Sequence, residues 1–227
     1  MHRIAPLLAV LFVFIAIDAR ADFINGSFET TVPVVAPGTF HLFSAGDPGV
    51  SGWTVLGPGA NIAVVNTSFT QSGLSFVAQS GANWVDLTGL DANASEGLSQ
   101  TVATTVGNSY TLTFWIGNVN SAATGFGVTS TVLVFADVSP LGSFTNSCTT
   151  CTTTQNWQMF TSTFIATSTS TTLRFLNGDP ANDNDNGLDN VSIVDNGPGT
   201  TVPEPSSIVL LGSALLGFIT VGRRLRP

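Results

Sequence analysis

Between Tyr110 and Ile116 the apolar side chains fall on alternate positions. Tyr110, Leu112, Phe114 and Ile116 lie on one side, Thr111, Thr113 and Trp115 on the other. A repeat of two is that of a half-buried strand, and a helix cannot use it. Similar runs return at residues 128–136, at Phe160, Phe164 and Ala166, at Leu173 and Phe175, and at Val191 and Ile193. Turn clusters punctuate them: Gly57-Pro58-Gly59, Val106-Gly107-Asn108 and Asn177-Gly178-Asp179-Pro180. No amphipathic helix of useful length intervenes. Short strands at a spacing of about ten residues, without helices, predict an all-β sandwich or barrel.

Two apolar segments flank this body. Met1-His2-Arg3, an apolar run at 7–17 and Ala19-Arg20-Ala21 have the order of a secretory signal peptide, cleaved after Ala21. At the other end Val202-Pro203-Glu204-Pro205 precedes an uncharged run at 207–221, then Arg223-Arg224-Leu225-Arg226. Such a run partitions into lipid, and the arginines hold its end inside. The chain therefore divides into a signal peptide (1–21), a β domain (22–195), a linker (196–201) and a sorting tail (202–227).

Motif, greasy run and arginines together resemble the PEP-CTERM tail of Gram-negative bacteria that make extracellular polysaccharide. In that family an exosortase recognises Pro-Glu-Pro and removes the helix. The resemblance implies that Pro203, Glu204, Pro205, Arg223 and Arg224 carry the sorting signal, with exosortase and signal peptidase as partners. It also implies export to the cell surface or extracellular matrix, with at least transient anchorage of the C-terminal helix in the inner membrane.

Charge narrows the function. Between the two ends Arg174 is the only basic residue against twelve carboxylates, a net charge near −11. Such a body repels phosphate backbones, which excludes nucleic acid, and makes divalent cations its natural partners. The chain has no lysine, and His41 sits in a Gly/Pro-rich loop without motif company. Nucleophilic triads lack their base, so the reading is a non-enzyme; a glycosidase built on paired carboxylates is the catalytic alternative. Cys148 and Cys151, two residues apart in a Thr-rich loop, are expected to form a disulfide in an exported protein. Free or metal-bound thiols and a redox pair are the alternatives.

The order of landmarks through the body resembles the galactose-binding-like jelly-roll group, which includes carbohydrate-binding modules and "choice-of-anchor" surface proteins. Those landmarks are Asn25-Gly26-Ser27-Phe28-Glu29, Gly52-Trp53, Asn83-Trp84-Val85-Asp86-Leu87, Gly97-Leu98-Ser99-Gln100, Tyr110-Thr111-Leu112-Thr113-Phe114, Trp157 and Leu188-Asp189-Asn190-Val191. It implies two antiparallel sheets and a structural calcium ion held by Glu29 and Asp189. Asp189 shares parity with Val191 and Ile193, which points its carboxylate at the sandwich rim. The stretch 179–187 copies the front half of a calcium loop but carries Ile193 where the bidentate Glu belongs. It is either a solvated acidic loop or a second ion site, with Asp183 or Asp185 in reach of the ion on Asp189. Trp53, Trp84 and Trp157 are expected to pack. Trp115, set among threonines, is a sugar platform or packs against a loop. The resulting expectation is an exported, non-catalytic carbohydrate-binding module that meets extracellular polysaccharide. The alternatives are a structural or adhesive surface protein without a sugar ligand, and a secreted glycosidase.

Overall fold

The computed structural model describes residues 22–57, 61–90, 97–180 and 185–199. The signal-peptide positions Ala19 and Ala21, the tail residues Pro203, Glu204, Pro205, Arg223 and Arg224, and Asp183 lie outside them. Among the described residues no helix is long and apolar enough to cross a membrane.

The strands are, in chain order, β1 (Phe40–Ser44), β2 (Thr54–Leu56), β3 (Asn61–Asn66), β4 (Thr70–Gln71), β5 (Leu74–Ser75), β6 (Asn83–Asp86) and β7 (Gly97–Ala103). They continue with β8 (Asn108–Asn118), β9 (Ser130–Ala136), β10 (Ser139–Asn146), β11 (Asn156–Ile165), β12 (Ser170–Asn177) and β13 (Gly187–Pro198). A six-stranded sheet runs β1-β3-β6-β13-β8-β11, a five-stranded sheet runs β10-β9-β12-β7-β2, and β4 and β5 form a small hairpin. All these pairings are antiparallel. This is an all-β sandwich of antiparallel sheets, one of the two outcomes that the alternation predicts and the one that the jelly-roll resemblance implies.

The two large sheets bury their facing sides against each other. Tyr110, Leu112, Phe114 and Ile116 of β8 are fully buried, as are Leu173 and Phe175 of β12 in the opposite sheet. Phe114 meets Phe175 edge-on across the interface at 5.5 Å between ring centres. One open edge is closed by Phe144 of β10 and Phe160 of β11, 5.6 Å apart. Trp53 packs as expected, stacked on Phe23 at 5.3 Å with its indole N–H donating to the Asn25 carbonyl.

The opening Asn25–Glu29 segment is a compact knot. The Asn25 side chain donates to the Thr30 and Ser51 carbonyls and accepts from the Thr30 N–H. These bonds hold Phe28 at φ 59°, an unusual conformation for a bulky residue, with its ring completely buried. Gly26 is obligatory here, because a Cβ would stand 2.1 Å from the Val191 carbonyl oxygen. The first and last motifs of the domain thus touch, sealed by the Val191 N–H donating to the Gly26 carbonyl at 2.9 Å.

Asp189 is buried away from bulk water, but the parity that ties it to Val191 and Ile193 fails in β13. The pairing with β8 shifts register between Asp189 and Ser192, and Asn190 takes φ 47°. This is a β-bulge: one extra residue reverses the alternation. Leu188 pairs with Ile116 and Ile193 with Leu112, both inward, whereas Asp189 pairs with Trp115. Asp189 therefore points to the outer face of the six-stranded sheet, opposite to Val191 and Ile193.

Candidate functional site

That outer face carries a second apolar cluster. Ala63, Val65, Trp84 and Val119 rise from the sheet, and Leu74, Phe76 and Phe126 cover them. Across its middle, register places Ala63, Asp86, Gly187, Gly117 and Trp157 in one row. The two glycines make room for the buried Gln155 amide: a Cβ on Gly117 would lie 2.1 Å from Gln155 Nε2, and one on Gly187 2.6 Å. Gln155 is anchored through the Cys loop, since its N–H donates to the Ser75 carbonyl while Ser75 N–H donates to Thr153.

Beside this row opens a hollow of about 240 Å³. Phe40, Phe69, Phe76 and Phe126 line it, Trp84 of β6 lies beneath, Asp86 and Asp185 present carboxylates, and Gln71 stands exposed at the margin. The rings form a continuous wall: Phe40–Phe69 at 5.4 Å, Phe69–Phe76 at 5.7 Å and Phe76–Phe126 at 5.0 Å. The β4–β5 hairpin holds two of them, closed by Phe76 N–H donating to the Phe69 carbonyl. Trp84 is tied in by its indole N–H on the Phe76 carbonyl at 3.1 Å.

The carboxylates are built in. Asp86 Oδ1 accepts from the Thr88 N–H at 2.9 Å, the Thr88 hydroxyl at 2.7 Å and the Asn186 N–H at 3.3 Å. Burial nevertheless pushes its carboxyl up to about 6, against those hydrogen bonds. Asp185 is buried, and its Oδ2 accepts from the Val119 N–H at 2.6 Å. Ring faces that can stack, with acceptors fixed at the floor, suit a compact polar ring bearing hydroxyls.

Asp189 and Glu29 hold the two ends of the loop 79–83. Gln79 and Ser80 N–H donate to Asp189 Oδ2 at 2.9 Å each, and Ala82 and Asn83 N–H donate to Glu29 Oε1 at 3.0 Å each. Asn190 N–H donates to Asp189 Oδ1. Burial pushes the Asp189 carboxyl up to about 7 against its amide donors, and the nearby Glu29 charge adds to the rise. The oxygen left outside these bonds is Glu29 Oε2. Asp185 lines the hollow and does not join Glu29 and Asp189 in a metal-binding group. Among the described residues no three of His, Cys, Asp and Glu gather as a metal-binding group.

Residues 21–194 match the family described as "Protein of unknown function (DUF642)". The chain belongs to the DUF642 family. Residues 201–226 match the PEP-CTERM protein-sorting motif, which makes this an exported protein sorted to the cell surface. No curated protein is similar enough to count as a relative. Among solved structures the DUF642 domain is similar to a Stig cyclase, Fisc, from Fischerella sp. TAU in complex with an indole ligand. Identity is 21%, covering 79% of this chain and 98% of that one, with a TM-score of 0.56. An apo cyclase from Fischerella sp. aligns at 20% identity over 80% and 98% of the two chains, TM-score 0.53. A structure titled "CBM4 structure and function" aligns at 18% identity over 76% and 99%, TM-score 0.38. The cyclase likenesses show the sandwich fold alone.

Trp115 stands half-buried on the outer face of the DUF642 domain, between Asp189 and the exposed Met159 in register. Thr113 pairs with Thr161 and Thr111 with Thr163 beside it, so the hydroxyl-rich surround is as the alternation predicts. Trp157 packs at the rim, its indole N–H on the Val77 carbonyl at 2.8 Å. Cys148 and Cys151 are free thiols in this structure rather than the expected disulfide, with Cys151 N–H donating to Cys148 Sγ at 3.1 Å. Burial pushes the Cys151 thiol up to about 11, whereas the Cys151 thiol and the Thr150 donors hold Cys148 below its ordinary value despite burial.

Proposed function

We propose that this DUF642 domain is a non-catalytic carbohydrate-binding module whose glycan seat is the hollow on the outer face of the six-stranded sheet. The observation that carries this reading is the hollow itself: four phenylalanine rings and Trp84 around Asp86 and Asp185. At about 240 Å³ it falls below the ~300–1,000 Å³ of drug-sized pockets, and suits one sugar unit of a longer chain. The sorting tail supports placement at the envelope or polysaccharide matrix of a Gram-negative bacterium, with exosortase and signal peptidase as processing partners. Trp115 is proposed as a second stacking surface for the same chain. Calcium at Glu29 and Asp189 belongs to the proposal too: two neighbouring carboxylates favour a cation, and Glu29 Oε2 is the oxygen open to it.

The test is retardation of the full chain in gels containing the host's own polysaccharide or defined glucans and hexosamine polymers. Binding that falls in Phe126→Ala supports the hollow, while binding lost only in Trp115→Ala moves the seat to that indole. No retardation on any polysaccharide overturns the proposal in favour of a structural or adhesive surface protein. One observation favours a catalytic second reading: Asp86, with its carboxyl near 6, can carry a proton to a ligand in the hollow. Turnover of an oligosaccharide that disappears in Asp86→Asn would establish it.

A further inference from the structure

Of the four strands that end the two large sheets, three are blunted. β2 is three residues long, β1 is five, and β10 carries Pro140 with a register break between Pro140 and Gly142. Short edges, prolines and bulges are defences against pairing with another chain. β11 has none of them. It runs ten residues in unbroken register with β8 on one side, and among the described residues no strand lies on its other side. Charge, the remaining defence, is missing from its whole surroundings. Between residues 97 and 173 the only charged side chain is Asp137, in the turn between β9 and β10, so β8, β9, β10 and β11 are all neutral. The Asp137 carboxylate accepts from the Thr172 N–H, toward β12. Arg174 on the same strand lies 4.8 Å over the Phe135 ring, in the opposite sheet. Two copies of a body with net charge near −11 repel each other, and least where neither presents a carboxylate.

We propose that the open edge of β11 takes β11 of a second copy of this chain, antiparallel about a two-fold axis through Ser162. The strand is complementary to itself in that register. Met159 and Ile165, 53% and 61% exposed on the outer face, then stand opposite each other across the axis. Phe160 faces Phe164 of the second copy on the inner side, where both rings are only partly buried against the core. Thr161 faces Thr163, and the small Ser162 meets itself. Such a contact is isologous and closes after two copies, and the new ladder satisfies the main-chain groups that an edge strand leaves open. It joins the two six-stranded sheets into one. Register within each copy then aligns Trp115 and Met159 with Ile165 and Ser109 of the second copy. Both Trp115 indoles come to lie on one continuous face.

Sedimentation equilibrium of the full chain in a density-matched neutral detergent tests this, and should give a dimer. Thr161→Lys/Thr163→Lys sets like charges opposite each other in the stated register and should lose the dimer. Both positions are exposed, so far-UV circular dichroism should stay unchanged. Mixing that variant with Thr161→Glu/Thr163→Glu should restore a mixed dimer, which a misfolded variant cannot do. Cross-linking checks the register in a Cys148→Ser/Cys151→Ser background. Facing Cα atoms of an antiparallel pair lie ~4.5–5.5 Å apart, within disulfide reach, so Ser162→Cys should cross-link to its own copy on oxidation. Thr101→Cys, exposed on β7 of the other sheet, should not. A monomer throughout, or a dimer that the lysine variant leaves intact, overturns the proposal; the latter moves the contact to another surface or to the C-terminal tail. Cross-linking of Thr161→Cys in preference to Ser162→Cys overturns the register.

Discussion

Asp189 makes the stability of this domain fall as pH rises. In the folded chain burial holds its proton up to about pH 7, whereas the unfolded chain releases it near 3.8. Between those values the native state binds more protons than the unfolded state, so stability is greatest on the acid side and declines toward neutrality. Three pH units at ~1.4 kcal/mol each amount to about 4 kcal/mol as an upper figure. Asp86 acts with the same sign and is complete by about pH 6, its rise from 3.8 being worth about 3 kcal/mol at most. The interval from pH 6 to 7 therefore belongs to Asp189. Urea unfolding followed by tryptophan fluorescence at half-unit steps from pH 4.5 to 8 reads this directly. The wild-type chain should lose stability across the whole interval up to pH 7 and then level off. Asp189→Asn should remove the slope above pH 6, because the amide has no proton to lose. It should also cost about 1–3 kcal/mol at low pH, since its NH₂ cannot accept from the Asn190 N–H. A stability that climbs from pH 4.5 to 7.5 would refute the reasoning: three amide donors would then have outweighed burial and kept Asp189 ionised in acid.

Calcium, if held by Glu29 and Asp189, should raise the melting temperature by several degrees through mass action; a chelator that leaves the melt unchanged counts against it, and Glu29→Gln should abolish any shift seen. Gly26→Ala should destabilise the fold by about 1–3 kcal/mol or more, because the new Cβ must push the Val191 carbonyl away and so strain the Val191 N–H to Gly26 carbonyl bond that closes the first motif on the last; a urea midpoint within error of wild type would exclude that contact. Cys148 and Cys151 are expected to be disulfide-bonded in the exported protein; intact-mass measurement with and without reductant should differ by two hydrogen atoms, and no difference would leave them as thiols.

The sandwich was legible because its strands alternate cleanly, from Tyr110 to Ile116 on β8 and from Leu173 to Phe175 on β12. Each inward residue meets the other sheet and is fully buried, so pattern and packing coincide. The orientation of Asp189 was not legible. Its parity argument holds only for an unbroken strand, and the bulge at Asn190 is enforced by tertiary contacts, Val191 bonding Gly26 and Asn190 Nδ2 bonding Gln79. The hollow was missed for a similar reason. Asp86 was visible within its motif but carried no separate signal. Phe40, Phe69, Phe76 and Phe126 lie on one edge strand, beside a two-residue hairpin and near a short turn, with no shared period. Only the folded hairpin gathers them. Bulky rings in Gly/Ser/Thr-rich segments, where core packing does not call for them, were the available hint.

Arg174 has a consequence beyond recognition. It sits mid-strand on β12, hydrogen-bonded on one side by β7 and on the other by β9. The body between the two ends offers no other basic residue. Enzymes of the trypsin type, which must thread an extended basic site through their cleft, find that bond locked inside a ladder. For a protein sorted to the cell surface, scarcity of positive charge thus leaves such enzymes few places to cut.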